Sequence, residues 1–172
     1  MAYRTRTYIA GDWTGDDDLI SALRYWNESS RWGLSFADAH ELTQARDTSL
    51  PCSIKRSLRE RLDVSKTFVL VVGDKTKDLT KGGCRYCASY SPYGACHRSG
   101  LVDHRSFIEY ECEYAADHGL KIVVLYNGCV VNRDRCPQPL RYTGSHLAAI
   151  CRDSYGSYQW DYGKISQAIR GY

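Results

Sequence analysis

A chain of 172 residues, 43% hydrophobic and 25% charged, has the size of one globular domain and can bury a single core unaided, which argues against disorder, a fibrous repeat or a small disulfide scaffold. Its formal charge of +3 is spread thinly, with only a modest basic stretch from Lys55 to Arg61, so charge does not argue for a nucleic-acid partner. Apolar runs such as Phe68 to Val72 fall far short of the roughly 20 residues a membrane helix needs. The N-terminal MAYRTRTYIAGDW has no apolar signal core, so the expected compartment is the cytosol. Eight cysteines in that setting read as reduced thiols or metal ligands rather than disulfides.

Strand-like and helix-like pieces alternate along the chain, the pattern of an α/β domain with a mainly parallel sheet. A first strand is expected at Thr5 to Ala10, ended by Gly11. Asp16, Asp17 and Asp18 then open a helix with Leu19, Ile20, Leu23 and Trp26 on one face, the acids suiting the helix dipole. Leu34 to Ala37 reads as a short second strand, followed by a long polar connection to Pro51. In CSIKRSLRERLDVS, Ile54, Leu58 and Leu62 recur every four residues, which makes an amphipathic helix whose lysine and arginines form a solvated outer face. Thr67 to Val72 is a β-branched run suited to a strand buried on both faces. A helix from Ser106 to His118, C-capped by Gly119, precedes a second buried strand, Lys121 to Tyr126. A loop through Pro137 and Pro139, a short strand at Leu147 to Ile150 and a closing helix from Asp161 to Arg170 complete the chain. Four or five parallel strands are expected.

Ligands of such sheets bind outside the carboxyl ends of the strands. That rule points to Gly11, Asp12 and Trp13 after the first strand, to Asp38 after the second, and to the segment after Gly73. No GxGxxG or phosphate-loop signature occupies these turns, which disfavours a conventional dinucleotide oxidoreductase or NTPase. His40, His118 and His146 have no Ser or Cys partner at readable spacing, so no hydrolytic triad is indicated.

The helix SFIEYECEYAADHG carries Glu109, Glu111 and Glu113. At about 100° per residue, Glu109 and Glu113 share one face while Glu111 points away from them, into the stripe of Phe107, Ile108, Cys112 and Ala115. A carboxylate near the core edge costs several kcal/mol unless paired or neutralised. Two readings fit: a structural pair with an arginine or backbone donors, or a catalytic or binding carboxylate at the crevice.

Between Asp78 and Arg105 lies the segment KGGCRYCASYSPYGACHRSG. Cys84 and Cys87 form a CxxC, Cys96 follows, and Cys112 sits in the next helix, so four thiolates could close a tetrahedral zinc site, with His97 and His104 as rival fourth ligands. Buried free thiols and a redox pair are the alternatives. The interleaved tyrosines and arginines could stack on bases or could pack the loop itself.

The run SIKRSLRERLDVSKTFVLVVGDKTKDL, followed after a spacer by RSFIEYECEYAADHGLKIVVLY, resembles the TIR-like domain of the family that includes the TIR subunit of Thoeris antiphage systems. The likeness spans about residues 5 to 130. It implies one TIR-like domain over 1–172, interrupted by a Cys- and Tyr-rich insert at about 78–105, with a flavodoxin-like sheet of about five strands in the order 2-1-3-4-5. It implies that Glu111 matches the glutamate with which enzymatic TIR domains cleave NAD, and that Phe107 stands where many carry the tryptophan of WxxxE. Gly11, Asp12, Trp13, Asp38 and Phe107 are then expected around the dinucleotide, and the connection Ala39 to Pro51 corresponds to a loop that often mediates TIR assembly. The implied product is a cyclic ADP-ribose-type signal nucleotide acting on an effector protein, with self-association or a phage-derived trigger as the control. NAD serves as substrate and no cofactor is required for the chemistry. Not all TIR-like domains are enzymes, so a non-catalytic interaction or nucleotide-sensing module is the alternative.

Overall fold

The computed structural model describes residues 5–34, 36–38, 50–98 and 100–171. Five parallel strands, β1 (Arg6–Ala10), β2 (Ala37–Asp38), β3 (Ser65–Val72), β4 (Lys121–Tyr126) and β5 (Ser145–Ala148), form one sheet in the order β2-β1-β3-β4-β5. The helices are α1 (Asp17–Glu28), α2 (Pro51–Asp63), α3 (Phe107–Asp117) and α4 (Tyr162–Arg170), and a two-stranded antiparallel ribbon joins β6 (Ile150–Arg152) to β7 (Tyr158–Trp160). The flavodoxin-like α/β architecture and the expected strand order are both borne out.

Strand pleating assigns the two cores. Successive strand side chains point to opposite faces, so Tyr8, Ala10, Phe68, Leu70, Val72, Ile122 and Val124 meet Leu58 and Leu62 of α2 and Ile108, Cys112 and Ala115 of α3. Ile9, Val69, Val71, Val123 and Leu125 face the other way, onto Leu19, Ile20, Leu23 and Trp26 of α1 and Ile165 and Ile169 of α4. The central strands are therefore apolar throughout, as a sheet covered on both faces requires.

Three expectations are corrected. Leu34 does not begin the second strand: Gly33, at φ 52°, turns the chain, and the Leu34 amide bonds back to Trp26 O at 3.0 Å, which sinks its side chain into the core. The stretch Leu147 to Ile150 splits, because Ala149 bonds to Tyr126 O and Asp161 rather than continuing one ladder. The basic residues of α2 are not all solvated, since Lys55 and Arg61 are buried. The proposed assembly loop, Ala39 to Pro51, lies outside the described residues over 39–49. No helix among the described residues is long and apolar enough to cross a membrane.

Candidate functional site

At the carboxyl edge of the sheet a cleft of about 520 Å³ is lined by Gly11, Asp12 and Trp13 following β1, by Arg61 of α2, by Lys81 of the insert and by Phe107 and Glu111 of α3. Arg24 of α1 reaches the same cleft, its guanidinium 4.5 Å from the centroid of the Trp13 ring, a cation–π contact that holds the indole at the rim. Gly11 is where the backbone runs close to β3: an added Cβ would stand 3.1 Å from Val71 Cβ.

Glu111 sits on α3 beside Ile108 and Cys112, with 7% of its surface exposed. Its helix is fixed at the start by a reciprocal capping box, in which Glu109 N donates to Ser106 Oγ at 3.2 Å and Ser106 N donates to Glu109 Oε2 at 2.8 Å. Such a cap anchors the first turn and orients all that follows. Tyr8, from the middle of β1, donates its hydroxyl to Glu111 Oε1. Burial pushes the Glu111 carboxyl up to about 7, although the Tyr8 bond and the nearby Arg61 charge both pull it down. The group therefore titrates near neutrality, poised between a neutral acid and a carboxylate.

The insert closes this side of the cleft from its root. Phe107 N donates to Lys81 O at 2.8 Å, and Gly82, at φ 107°, lies so close over the Phe107 ring that an added Cβ would be 2.5 Å from it. Its far end is pinned by Lys55, whose Nζ donates to Arg105 O at 2.7 Å and pairs with Asp103 Oδ2 at 3.1 Å. Asp103 also takes bonds from Arg105, which in turn donates to Glu113. Burial raises the Asp103 carboxyl, but the Arg105 and Lys55 bonds outweigh it and hold the group at about 2.

A second crevice of about 380 Å³ shares Asp12 and Thr14 with the first and continues to Asp16, Gly73, Asp74 and Asn127. Asp16 is buried and accepts from Asn127 Nδ2 at 3.0 Å. Burial raises its carboxyl, the Asn127 bond opposes this, and Asp12, Asp18 and Asp74 add to the rise. Gly73 packs against it so tightly that a Cβ would overlap Asp16 Oδ1 at 2.1 Å. The cationic wall is thus in the first cleft, and the acidic one lies beyond it.

Five residues singled out from sequence, Gly11, Asp12, Trp13, Phe107 and Glu111, come together in one cleft. Asp38 ends β2 opposite Thr7 in register, on the strand beside β1. The four cysteines do not come together. Cys112 is fully buried in the layer between α3 and the sheet with Leu58, Phe68 and Cys136, whereas Cys84 accepts from Asp103 N at the foot of the insert, Cys96 pairs with Tyr90 in an isolated β-bridge, and Cys87 precedes that bridge. Among the described residues no three His, Cys, Asp or Glu side chains are grouped to hold a metal. The zinc reading is corrected accordingly: Cys112 faces the sheet, where its neighbours are apolar side chains.

Tyr8, Arg24, Arg61 and Lys81 were not anticipated at the site. Arg61 could have been found, because it falls three residues after Leu58 and seven after Ile54, on the inward stripe of α2. Tyr8 carried a weaker signal, a phenol in a buried strand that needs a partner for its hydroxyl. Lys81 and Arg24 carried none.

A doubly wound parallel sheet with a buried glutamate at its carboxyl-edge cleft is the arrangement expected of a TIR-like domain. Residues 8–81 match the family model described as Thoeris protein ThsB, TIR-like domain, so this part of the chain is similar to that family. The match runs from β1 through α1, α2 and β3 to the root of the insert. No curated protein matches the chain.

Proposed function

We propose that this protein cleaves the bond between nicotinamide and ribose in NAD and converts the remainder to a cyclic ADP-ribose-type nucleotide, which signals to a separate effector protein in antiphage defence. The observation that carries the reading is Glu111: a nearly buried carboxylate in a cleft whose other charged walls are Asp12, Arg24, Arg61 and Lys81. Those cations suit the pyrophosphate of a dinucleotide, and the acidic crevice beyond Asp12 would repel it, which favours a folded dinucleotide within the first cleft.

As the C–N bond breaks, its electron pair leaves with nicotinamide and positive charge develops on the ribosyl carbon and ring oxygen. An ionised Glu111 beside that ribose stabilises the transition state more than the ground state. The nicotinamide ring of bound NAD is itself cationic, so it favours the ionised form of Glu111 before reaction and needs no acid to leave. The acceptor decides the product. Water gives ADP-ribose, whereas a hydroxyl elsewhere in the same folded molecule bonds to the ribosyl carbon, loses its proton to the Glu111 carboxylate and closes a ring. Phe107, Trp13 and the apolar side chains of Ile54 and Leu79 in the lining favour the second outcome by excluding water. Chromatography of NAD incubated with the protein, with and without lysate from phage-infected cells, tests the reading: nicotinamide and a cyclic product are expected, and intact NAD under both conditions contradicts it.

A further inference from the structure

The one hydrogen bond that the Glu111 carboxylate accepts among the described residues comes from the sheet, not from its own helix or the cleft wall. Tyr8 is wholly buried and its ring stacks on Phe68, with centroids 5.7 Å apart and planes 16° from parallel. A phenylalanine would serve that packing equally well, so packing accounts for the ring and leaves the hydroxyl to be explained. A buried phenol without an acceptor is costly, and here the acceptor is Glu111 Oε1. The other carboxylate oxygen, Oε2, takes no hydrogen bond from the described residues.

We infer that Tyr8 is a positioning residue for the NAD-cleaving carboxylate: by holding Oε1 against the sheet it fixes the rotation of the carboxyl group and turns Oε2 to the ribose. The inference rests on the function proposed above. A carboxylate on a two-carbon stem has several rotamers, and a group that must meet a developing charge works best when its orientation is set before substrate arrives. The bond does this from a rigid element, since β1 lies between β2 and β3 in the sheet. It also supports the charged form, because a hydroxyl donating to a carboxylate stabilises the anion. The other groups around Glu111 are Arg61 from α2, which acts in the same direction, Asp12, Arg24 and Lys81 on the cleft walls, and Cys112 on its own helix.

Tyr8→Phe tests this, because it keeps the stacked ring and removes only the donor. The expected result is a fall in kcat of about tenfold at neutral pH with KM within about twofold, since the carboxylate acts on the transition state. The acidic limb of the pH profile should move up by about one unit, and part of the loss should persist on the alkaline plateau, where Glu111 is ionised but no longer held. An acidic limb that does not move, or full recovery of wild-type kcat on the alkaline plateau, would overturn the inference. Carbon-detected NMR titration of the Glu111 side-chain carboxyl in the ligand-free protein, assigned with Glu111→Gln, gives a readout independent of turnover. An upward shift of about one unit in Tyr8→Phe is expected, and coincident curves would overturn the inference. If wild type releases no nicotinamide with or without infected-cell lysate, the proposed activity fails, while the NMR titration still decides whether Tyr8 governs Glu111.

Discussion

Replacing Glu111 by glutamine should make the protein more stable at alkaline pH while abolishing nicotinamide release. Burial raises the Glu111 carboxyl from 4.5 to about 7. Between those two values the native state binds a proton that the unfolded chain does not, so wild-type stability declines as pH rises through the window and the decline is complete above about 7. At about 1.4 kcal/mol per pKa unit, the displacement corresponds to roughly 3 kcal/mol. Glutamine keeps the shape and can still accept from Tyr8, but it has no charge to desolvate. Urea unfolding of both proteins at pH 4.5 and pH 8 measures the contrast. The difference between variant and wild type should grow by roughly 3 kcal/mol in the variant's favour between the two pH values, equivalent to roughly 6 to 12 °C in Tm for a chain of this size. Because every other titrating group is common to both proteins, the comparison isolates Glu111. A difference that is the same at both pH values would refute the claim that burial strains this carboxylate.

Gly82→Ala should destabilise the protein by about 1 to 3 kcal/mol and lower activity, since the φ of 107° and the approach to Phe107 both reject a methyl group; unchanged melting would mean that the insert does not close against α3. Lys55→Met should cost roughly 2 kcal/mol, less than a wholly buried pair would, because Asp103 is 30% exposed and keeps Arg105. Limited proteolysis should then cut the insert faster than in wild type, and equal rates would show that Lys55 does not pin it. Chelation with EDTA should leave the melting temperature unchanged, because Cys84, Cys87, Cys96 and Cys112 are not gathered. Release of one zinc per chain with a fall in Tm would restore the four-thiolate reading.

What the sequence revealed follows from periodicity. Lys121–Tyr126 was legible to the residue, because a continuous β-branched run admits one strand and Gly119 marks its approach. Glu111 was legible as an anomaly, since helical geometry alone sets it apart from Glu109 and Glu113. The electrostatics were not. Pattern treats every lysine and arginine of α2 as surface, yet Lys55 is buried by a segment some 50 residues away, and no local signal encodes that partner. The helix–strand connection runs on into the apolar run Leu34 to Ala37, and the strand starts only at Ala37, because a positive φ at Gly33 redirects the side chain after it. The CxxC invited a metal site through spacing alone, whereas the side-chain direction of Cys112 is set by the stripe it shares with Ile108 and Ala115, which faces the sheet.

The central claim is that Glu111 breaks the nicotinamide–ribose bond. Its most direct test is time-resolved chromatography of NAD incubated with wild type and with Glu111→Gln, Glu109→Gln and Glu113→Gln, each in the presence of lysate from phage-infected cells. Glu109 and Glu113 serve the helix cap and the Arg105 bond, and glutamine can still accept in both places. The account predicts nicotinamide and a cyclic nucleotide from wild type and from these two variants, and intact NAD with Glu111→Gln although that variant is folded. Nicotinamide release that survives in Glu111→Gln, or that is lost equally in all three variants, would contradict it.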